Sequence, residues 1–329
     1  MIKQLIALLF VSSTLFTLSP IVEETIEQIF QKPIDQLIIN PLSGGYSKAS
    51  LYKIQDIGQT YVLRFTNEPD REHAQREIYA MVEASKAGFG PHIYSIYHGT
   101  EAILMDFIPL HTTSIEDAKK PENCLKIAKA LQKLHQTAPN PFARPSTPVR
   151  SAAIYQSLCE EGDADSCCLE ALELVKQYSE ILSSFPAPKV NTHGDLTPRN
   201  LFFTEESAVL IDWGETNYED PMYDLTCFSL LHAYTPQEEA FLIKSYLEHE
   251  PTLDELKRYE LVKKITYATL VLSVHDLIPI LIKPEDLPLD PNSPIQDWAY
   301  YADAFSKNDK ELSAQFFHDW ARVALKLAH

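Results

Sequence analysis

An α+β fold is predicted, with a small β-rich N-terminal part and a larger, mostly helical C-terminal part that carries a β-hairpin at its centre. Three observations predict it. Short apolar and β-branched runs, separated by turn residues, fill positions 34–68. Apolar residues at three- and four-residue steps dominate after position 120. Between them, two short apolar runs, Leu201–Phe203 and Ala208–Ile211, flank Glu205-Glu206-Ser207 and read as the two strands of a hairpin.

Taken in order, residues 1–20 (MIKQLIALLFVSSTLFTLSP) hold Lys3, an apolar run Leu5–Val11 and a mixed tail. This resembles a short secretory signal without a small-x-small cleavage site. Ser and Thr interrupt it too often for a membrane span, and an extra helix packed on the body is the competing reading. Residues 1–35 are therefore set apart as a hydrophobic segment and helix, a signal or an anchor. A nucleotide-covering domain is expected over 36–107 and a catalytic, substrate-binding domain over 108–329.

Within 34–68, Ser-Gly-Gly and Asp-Ile-Gly-Gln separate three strands. In the third, Tyr61, Leu63 and Phe65 alternate with Val62 and Arg64, so Arg64 faces away from the aromatics. A helix over 71–88 carries Ala74, Ile78, Met81 and Ser85 on one stripe, with Glu77 at its border and Gly88 as the stop. Strands follow at Ile93–Tyr97 and Ala102–Met105. A helix over 121–137 opens on a proline. A Pro-rich stretch (139–148) and an acidic loop (159–166) precede a helix to about Ser183. Further helices are expected at 222–233, 236–249, 253–282 and 309–327, interrupted by a Pro-studded loop at 283–294.

The 329 residues suffice for a substantial core, and 45% hydrophobic with 22% charged residues is a globular composition. A formal net charge of −18 argues against nucleic acid as a partner, because phosphate backbones need a basic face. The same field suits a cationic small molecule, although acidity also serves solubility. Five cysteines without a CxxC pair form neither a disulfide framework nor a zinc motif, and point to a reducing compartment.

The chemistry concentrates in NTHGDLTPRN (191–200) and, after the hairpin, IDWG (211–214). A hairpin this short returns the end of its second strand to the start of its first. Asp212 then lies near Asn200, and both near Asp195. Three oxygen-bearing side chains converge, as a magnesium–nucleotide centre needs.

These motifs, with DPMYDLT (220–226), LSGGYSK (42–48), YVLRF (61–65) and LQKLHQ (131–136), resemble the aminoglycoside phosphotransferase and choline kinase superfamily over about residues 36–235. The resemblance implies a protein-kinase-like two-lobed fold and an ATP- and Mg2+-dependent kinase acting on a small-molecule alcohol. Asp195 would orient the acceptor hydroxyl, and Asn200 and Asp212 would hold magnesium. Ser43, Gly44, Gly45, Tyr46 and Ser47 would cover the phosphates with backbone N–H groups. Arg64 would reach the α/β-phosphates with Glu77 as its partner; Arg replaces the commoner Lys, and its fork suits phosphate. Met105, Asp106, Phe107 and Ile108 would border adenine. His193 reads as a backbone brace rather than an acid or base.

For the acceptor, Tyr218, Tyr223, Asp224 and Trp298 are the candidates, since aromatic faces and carboxylates hold ammonium groups. Trp320 falls on a stripe with Leu312, Phe316, Val323 and Leu327 and reads as core. The resemblance leans to the choline/ethanolamine branch. Many choline kinases carry a further Glu after YDL, where this chain reads TCFSLLHAY. Aminoglycosides are the rival acceptors, with Glu160, Glu161, Asp163 and Asp165 as an acidic loop, and thiamine or another metabolite a third. A non-catalytic pseudokinase predicts damaged metal or base positions, and none is present. A protein kinase is disfavoured because no APE-type segment follows the metal Asp. ATP dependence places the protein in the cytoplasm, with membrane association through residues 1–20 as an addition.

Overall fold

The computed structural model describes residues 18–42, 49–65, 71–97, 102–109, 113–281, 289–308 and 312–329. Residues 1–17 and the expected phosphate-covering loop Ser43-Gly44-Gly45-Tyr46-Ser47 lie outside the described residues. The chain divides into two compact units, 1–67 with 95–107, and 68–94 with 108–329.

The first unit is a helix on a sheet. Helix α1 (Pro20–Phe30) starts on a proline, whose missing N–H costs nothing at a helix N-terminus. Val22 and Ile26, one turn apart, join Leu37, Ile54, Leu63 and Phe65 in the core of this unit. Strands β1 (Ile38–Leu42), β2 (Ser50–Asp56), β3 (Gln59–Phe65), β4 (Ile93–Tyr97) and β5 (Ala102–Asp106) form one sheet in the order β1-β2-β3-β5-β4. The pairs β1–β2, β2–β3 and β3–β5 are antiparallel. Asp56 opposite Gln59 leaves Ile57-Gly58 as a two-residue turn with φ of 40° and 80°, the twist that favours a hairpin.

Helix α2 (Arg71–Ala87) belongs to the second unit, so the expected 36–107 domain is not contiguous as a compact body. The segment after it explains why: Phe89 O accepts from Leu210 N–H at 2.8 Å, and its ring lies 5.9 Å from that of Trp213. The remaining helices are α3 (Ile115–Ala118), α4 (Pro121–His135), α5 (Thr147–Glu161), α6 (Ser166–Leu182), α7 (Met222–Leu231), α8 (Pro236–Leu247), α9 (Leu253–Leu281), α10 (Trp298–Asn308) and α11 (Ala314–Ala328). The main core of this unit lies where α6, α9 and α11 meet, with Val175, Val271, Leu272, Phe317 and Trp320 buried in it. No helix among the described residues is long and apolar enough to cross a membrane.

Three expectations are corrected. Helix α5 occupies 147–161, so Glu160 and Glu161 end a helix instead of lying in a loop. Only Thr147, Ser151 and Leu158 of α5 are buried, which leaves it no apolar stripe to read. The single helix expected at 309–327 is α11, and α10 precedes it as a separate helix. Strands β6 (Val190–Thr192) and β9 (Asn217–Glu219) pair antiparallel, and three-residue strands of mixed polarity carry no periodic signal.

Candidate active site

The hairpin forms as its sequence predicts. Strand β7 (Leu201–Phe203) pairs with β8 (Ala208–Leu210) in the register Leu201↔Leu210. One step further, Ile211 N–H donates to Asn200 O at 3.0 Å, which joins the two ends that matter. The order β6–loop–β7–β8–loop–β9 then sets loop 193–200 beside loop 211–216. Thr192 stands opposite Asn217, and Thr216 Oγ1 donates to Thr192 O at 2.8 Å.

Gly194 is required where the loops touch. Its φ is +82°, and a Cβ there would lie 2.5 Å from Glu215 O. Asp224 fixes the same turn from below. Fully buried on the first turn of α7, it accepts from His193 N–H and Gly194 N–H, both at 2.9 Å. His135 Nε2–H adds a third bond at 3.1 Å, and His135 Nδ1 accepts from Tyr246 Oη at 2.7 Å. A buried carboxylate needs such partners, and here they order the loop backbone.

His193 is a brace, as expected. Its Nε2–H donates to Ile211 O at 3.0 Å, leaving Nδ1 to accept from Asp195 N–H at 3.3 Å. Complete burial pushes its imidazole below the usual histidine range, against the pull of Asp224. One neutral ring therefore ties the end of β8 to the Asp195 backbone.

The side chain of Asp195 is half-buried and held by Asn200, whose Nδ2 donates to Asp195 Oδ2 at 2.7 Å and Asp195 O at 3.0 Å. Burial, then the nearby carboxylates of Asp212 and Glu215, push its acid up to about 7, against Asn200 and Arg199. Asp212 is exposed and sits at φ 62°, a left-handed conformation that costs a non-glycine residue about 1–2 kcal/mol. Arg144 holds the adjoining segment, donating to Glu215 Oε2 and Gly214 O, each at 2.5 Å.

This donor set fits a hard divalent cation. Asn200 spends its side-chain N–H groups on Asp195, and its side-chain Oδ1 has no hydrogen bond among the described residues; neither has the Asp212 carboxylate. Two oxygen ligands beside the Asp195 carboxylate suit magnesium, which takes oxygen ligands and keeps several waters.

The other expected residues take the following places. Arg64 on β3 and Glu77 on α2 are 8% and 2% exposed, in separate units, and each is engaged in a polar interaction. Met105 and Asp106 end β5, and Phe107 N–H donates to Thr60 O at 3.4 Å; Ile108 begins the second unit's next stretch. Tyr218 lies on β9 and Tyr223 on α7, both half-buried.

Two acceptor candidates do not fit a substrate role. Asp224 has no exposed surface and both oxygens are committed to the loop. Trp298 is half-buried, donates Nε1–H to Leu230 O at 2.7 Å and packs on Tyr267 and Trp320 against the core. The aromatic of α10 that does approach the loop is Phe305, whose ring lies 4.6 Å from the Arg199 guanidinium.

Sequence reading missed His135, Arg144 and a network built on two asparagines. Asn191 Oδ1 accepts from Asn140 N–H at 2.8 Å, and Asn140 Nδ2 donates to Arg76 O at 2.9 Å. Only LQKLHQ offered a signal, as a motif without a role; the structure gives His135 its role.

Comparison with known proteins agrees with this geometry. A family model described as "Phosphotransferase enzyme family" matches residues 38–259, more than half of the chain. No curated protein sequence matches. Among solved structures, a choline/ethanolamine kinase family protein from Mesorhizobium loti is 21% identical, with TM-score 0.62, covering 87% of this chain and 92% of its own. A choline kinase from Streptococcus pneumoniae is 19% identical, with TM-score 0.63 and coverage of 87% and 96%. A spectinomycin phosphotransferase in complex with ADP and spectinomycin is 14% identical, with TM-score 0.55 and coverage of 88% and 92%. These likenesses establish the kinase-like α+β fold, and with the family match the conclusion follows that this chain belongs to the phosphotransferase enzyme family.

Proposed function

We propose that this enzyme transfers the γ-phosphoryl group of ATP to a hydroxyl of a small molecule, with an amino alcohol such as choline or ethanolamine as the leading acceptor class. The observation that carries the reading is the Asp195 carboxylate, clamped by Asn200 and set beside Asp212 on a loop fixed by Asp224 and His193.

Asp195 accepts a hydrogen bond from the acceptor hydroxyl and turns its oxygen toward the phosphorus. In a loose transition state the proton leaves late, so positioning is most of the contribution. An acid near 7 can still take that proton at neutral pH. Asn200 keeps Asp195 in one rotamer while its carbonyl oxygen and Asp212 present ligand atoms. Magnesium held there would neutralise charge developing on the transferring phosphoryl group. Arg64, Glu77 and the stretch Met105–Ile108 serve the nucleotide side in this reading, as does the Gly44-Gly45 loop. Dependence on ATP argues for work in the cytoplasm.

The acceptor class rests on the choline and ethanolamine kinases among the fold neighbours, and on the neighbouring carboxylates Asp195 and Asp212, Glu215 beside them being paired with Arg144. Tyr218, Tyr223 and Phe305 are the remaining aromatic candidates. The spectinomycin phosphotransferase neighbour favours an aminocyclitol or aminoglycoside as the second reading. An ADP-release assay with Mg2+–ATP over choline, ethanolamine, thiamine and several aminoglycosides tests both. Turnover on an amino alcohol, reduced about 10²–10⁴-fold in Asp195→Asn, is expected. No acceptor turned over above that variant would refute the kinase reading, and turnover on aminoglycosides only would transfer it to the second.

A further inference from the structure

A second cluster of ligating side chains lies in the helical unit and shares no residue with the phosphotransfer site. Asp165 Oδ, Cys168 Sγ and His275 Nε2 all lie within 4.8 Å of one another. Asp165 precedes α6, Cys168 is in its first turn, and His275 comes from the C-terminal third of α9. Cys168 is fully buried, His275 is 6% exposed, and Asp165 faces solvent.

The hydrogen bonding aims His275 and Asp165 at one another. His275 Nδ1–H donates to Val271 O at 2.8 Å, one turn back on α9, which leaves the lone pair on Nε2. That Nε2 is buried and has no hydrogen bond, while Asp165 Oδ2 stands 3.5 Å from it. Anchoring one imidazole nitrogen on a backbone carbonyl and aiming the other inward is how metal-ligating histidines are oriented. Asp165 divides its oxygens: Oδ1 caps α6 by accepting from Cys168 N–H at 3.0 Å, and Oδ2 faces His275 Nε2. A lone pair facing a carboxylate is repulsive unless a cation sits between them. A proton would satisfy that pair but would make no use of the thiol.

We propose that Asp165, Cys168 and His275 form a zinc-binding site that ties the start of α6 to α9, with a water from the Asp165 side as fourth ligand. Tetrahedral zinc bonds of about 2.0–2.3 Å put neighbouring ligand atoms about 3.3–3.8 Å apart, and the 3.5 Å separation of Oδ2 and Nε2 already meets that spacing. One Cys, one His and one carboxylate are a borderline-soft set that suits zinc over magnesium or calcium. Binding releases to solvent the Cys168 thiol proton, as the thiolate–zinc bond forms, and the proton held between His275 Nε2 and Asp165, as Nε2 turns to the metal. His318 on α11 borders the site, its ring centroid 5.9 Å from that of His275. The parts are contributed by two helices whose packing builds the main core, so the ion would act as a clamp there.

The test uses the full chain, tag-free and stripped by chelator, titrated with Co2+ as a spectroscopic probe and then with Zn2+. One equivalent of Co2+ should give a thiolate charge-transfer band and tetrahedral visible bands, displaced by Zn2+. Asp165→Asn and His275→Gln should weaken Zn2+ binding at least tenfold, and Cys168→Ser should abolish the charge-transfer band. Cys159→Ser and Cys167→Ser should leave it intact. Zn2+ should also raise the Tm of the parent chain, and by less in Asp165→Asn, a solvent-facing change that keeps the fold testable if the buried variants fail. A parent chain without the band, a band that follows Cys167, or Zn2+ affinity indifferent to Asp165→Asn would each overturn the site and leave a plain Asp165–His275 ion pair.

Discussion

At the residue scale, the catalytic loop is built from groups whose partners are backbone atoms rather than substrate. Gly194→Ala adds a Cβ against Glu215 O at a positive φ. A loss on the order of 2–4 kcal/mol in urea unfolding is expected, together with a fall in kcat. Asp224→Asn removes charge from a carboxylate that accepts from two loop N–H groups and from His135. Its kcat should drop with little selective change in acceptor KM, because the loop geometry suffers; a KM effect confined to the acceptor would restore Asp224 as a substrate contact. Asp195 carries a strain of charge. Its acid is raised to about 7 from an ordinary 3.8, so between these values the folded state binds a proton that the unfolded state does not. Stability therefore falls as pH rises from 4 to 7, and the cost is fully present above 7. Asp195→Asn should raise stability at pH 8 on the order of 1–2 kcal/mol, allowing for the solvent contact of a half-buried group, and by almost nothing at pH 4. Equal effects at both pH values in urea melts would contradict the electrostatic origin.

At the element scale, the β7–β8 hairpin, the β6–β9 pair and α7 do the positioning, while α10 separates two kinds of aromatic. Trp298 is committed to Leu230 O, Tyr267 and Trp320, whereas Phe305 meets Arg199 beside the loop. Trp298→Ala should cost about 3–5 kcal/mol in chemical denaturation, with acceptor KM unchanged where the protein still folds. Phe305→Ala should cost less and change acceptor KM more; the reverse pattern would exchange their roles. The elements that sequence resolved are those with a period or punctuation: β7 and β8 around Glu-Glu-Ser, the Ile57-Gly58 turn, and the helices from 121 and 236 that begin on prolines. Helix α5 and the β6–β9 pair stayed hidden because mixed burial erased the pattern. The packing of Trp298 was hidden for a related reason. An aromatic near the C-terminus carries the same letter whether it lines a pocket or fills a core.

At the scale of the whole molecule, buried neutral histidines set the acid limit. His232 is fully buried, its Nδ1 on Phe228 O, and burial lowers its imidazole to about 4; His193 is lowered for the same reason. Between about 6.5 and 4 the unfolded chain binds protons that these rings refuse, so stability present above 6.5 is lost as pH falls through that window. Replacing His232 by Gln should flatten the decline in Tm from pH 7 to pH 4.5, and an unchanged slope would assign the decline elsewhere. This runs opposite to the Asp195 contribution, which the Asp195→Asn variant removes from the balance. The order of residues by itself determined that Asp195, Asn200 and Asp212 come together: the HGDxxxxN spacing, a hairpin too short to bring its ends anywhere but together, and an Asp at the far end of it. Those relations are local, spanning some twenty residues, and local geometry is what turn chemistry and strand alternation dictate. Only the tertiary structure decided what Asp224, His135 and Trp298 do, and that Asp165, Cys168 and His275 meet. Their partners lie 30 to 110 positions away, and burial, which turns a carboxylate from a substrate hook into a backbone brace, is a property of the packed chain and not of its letters.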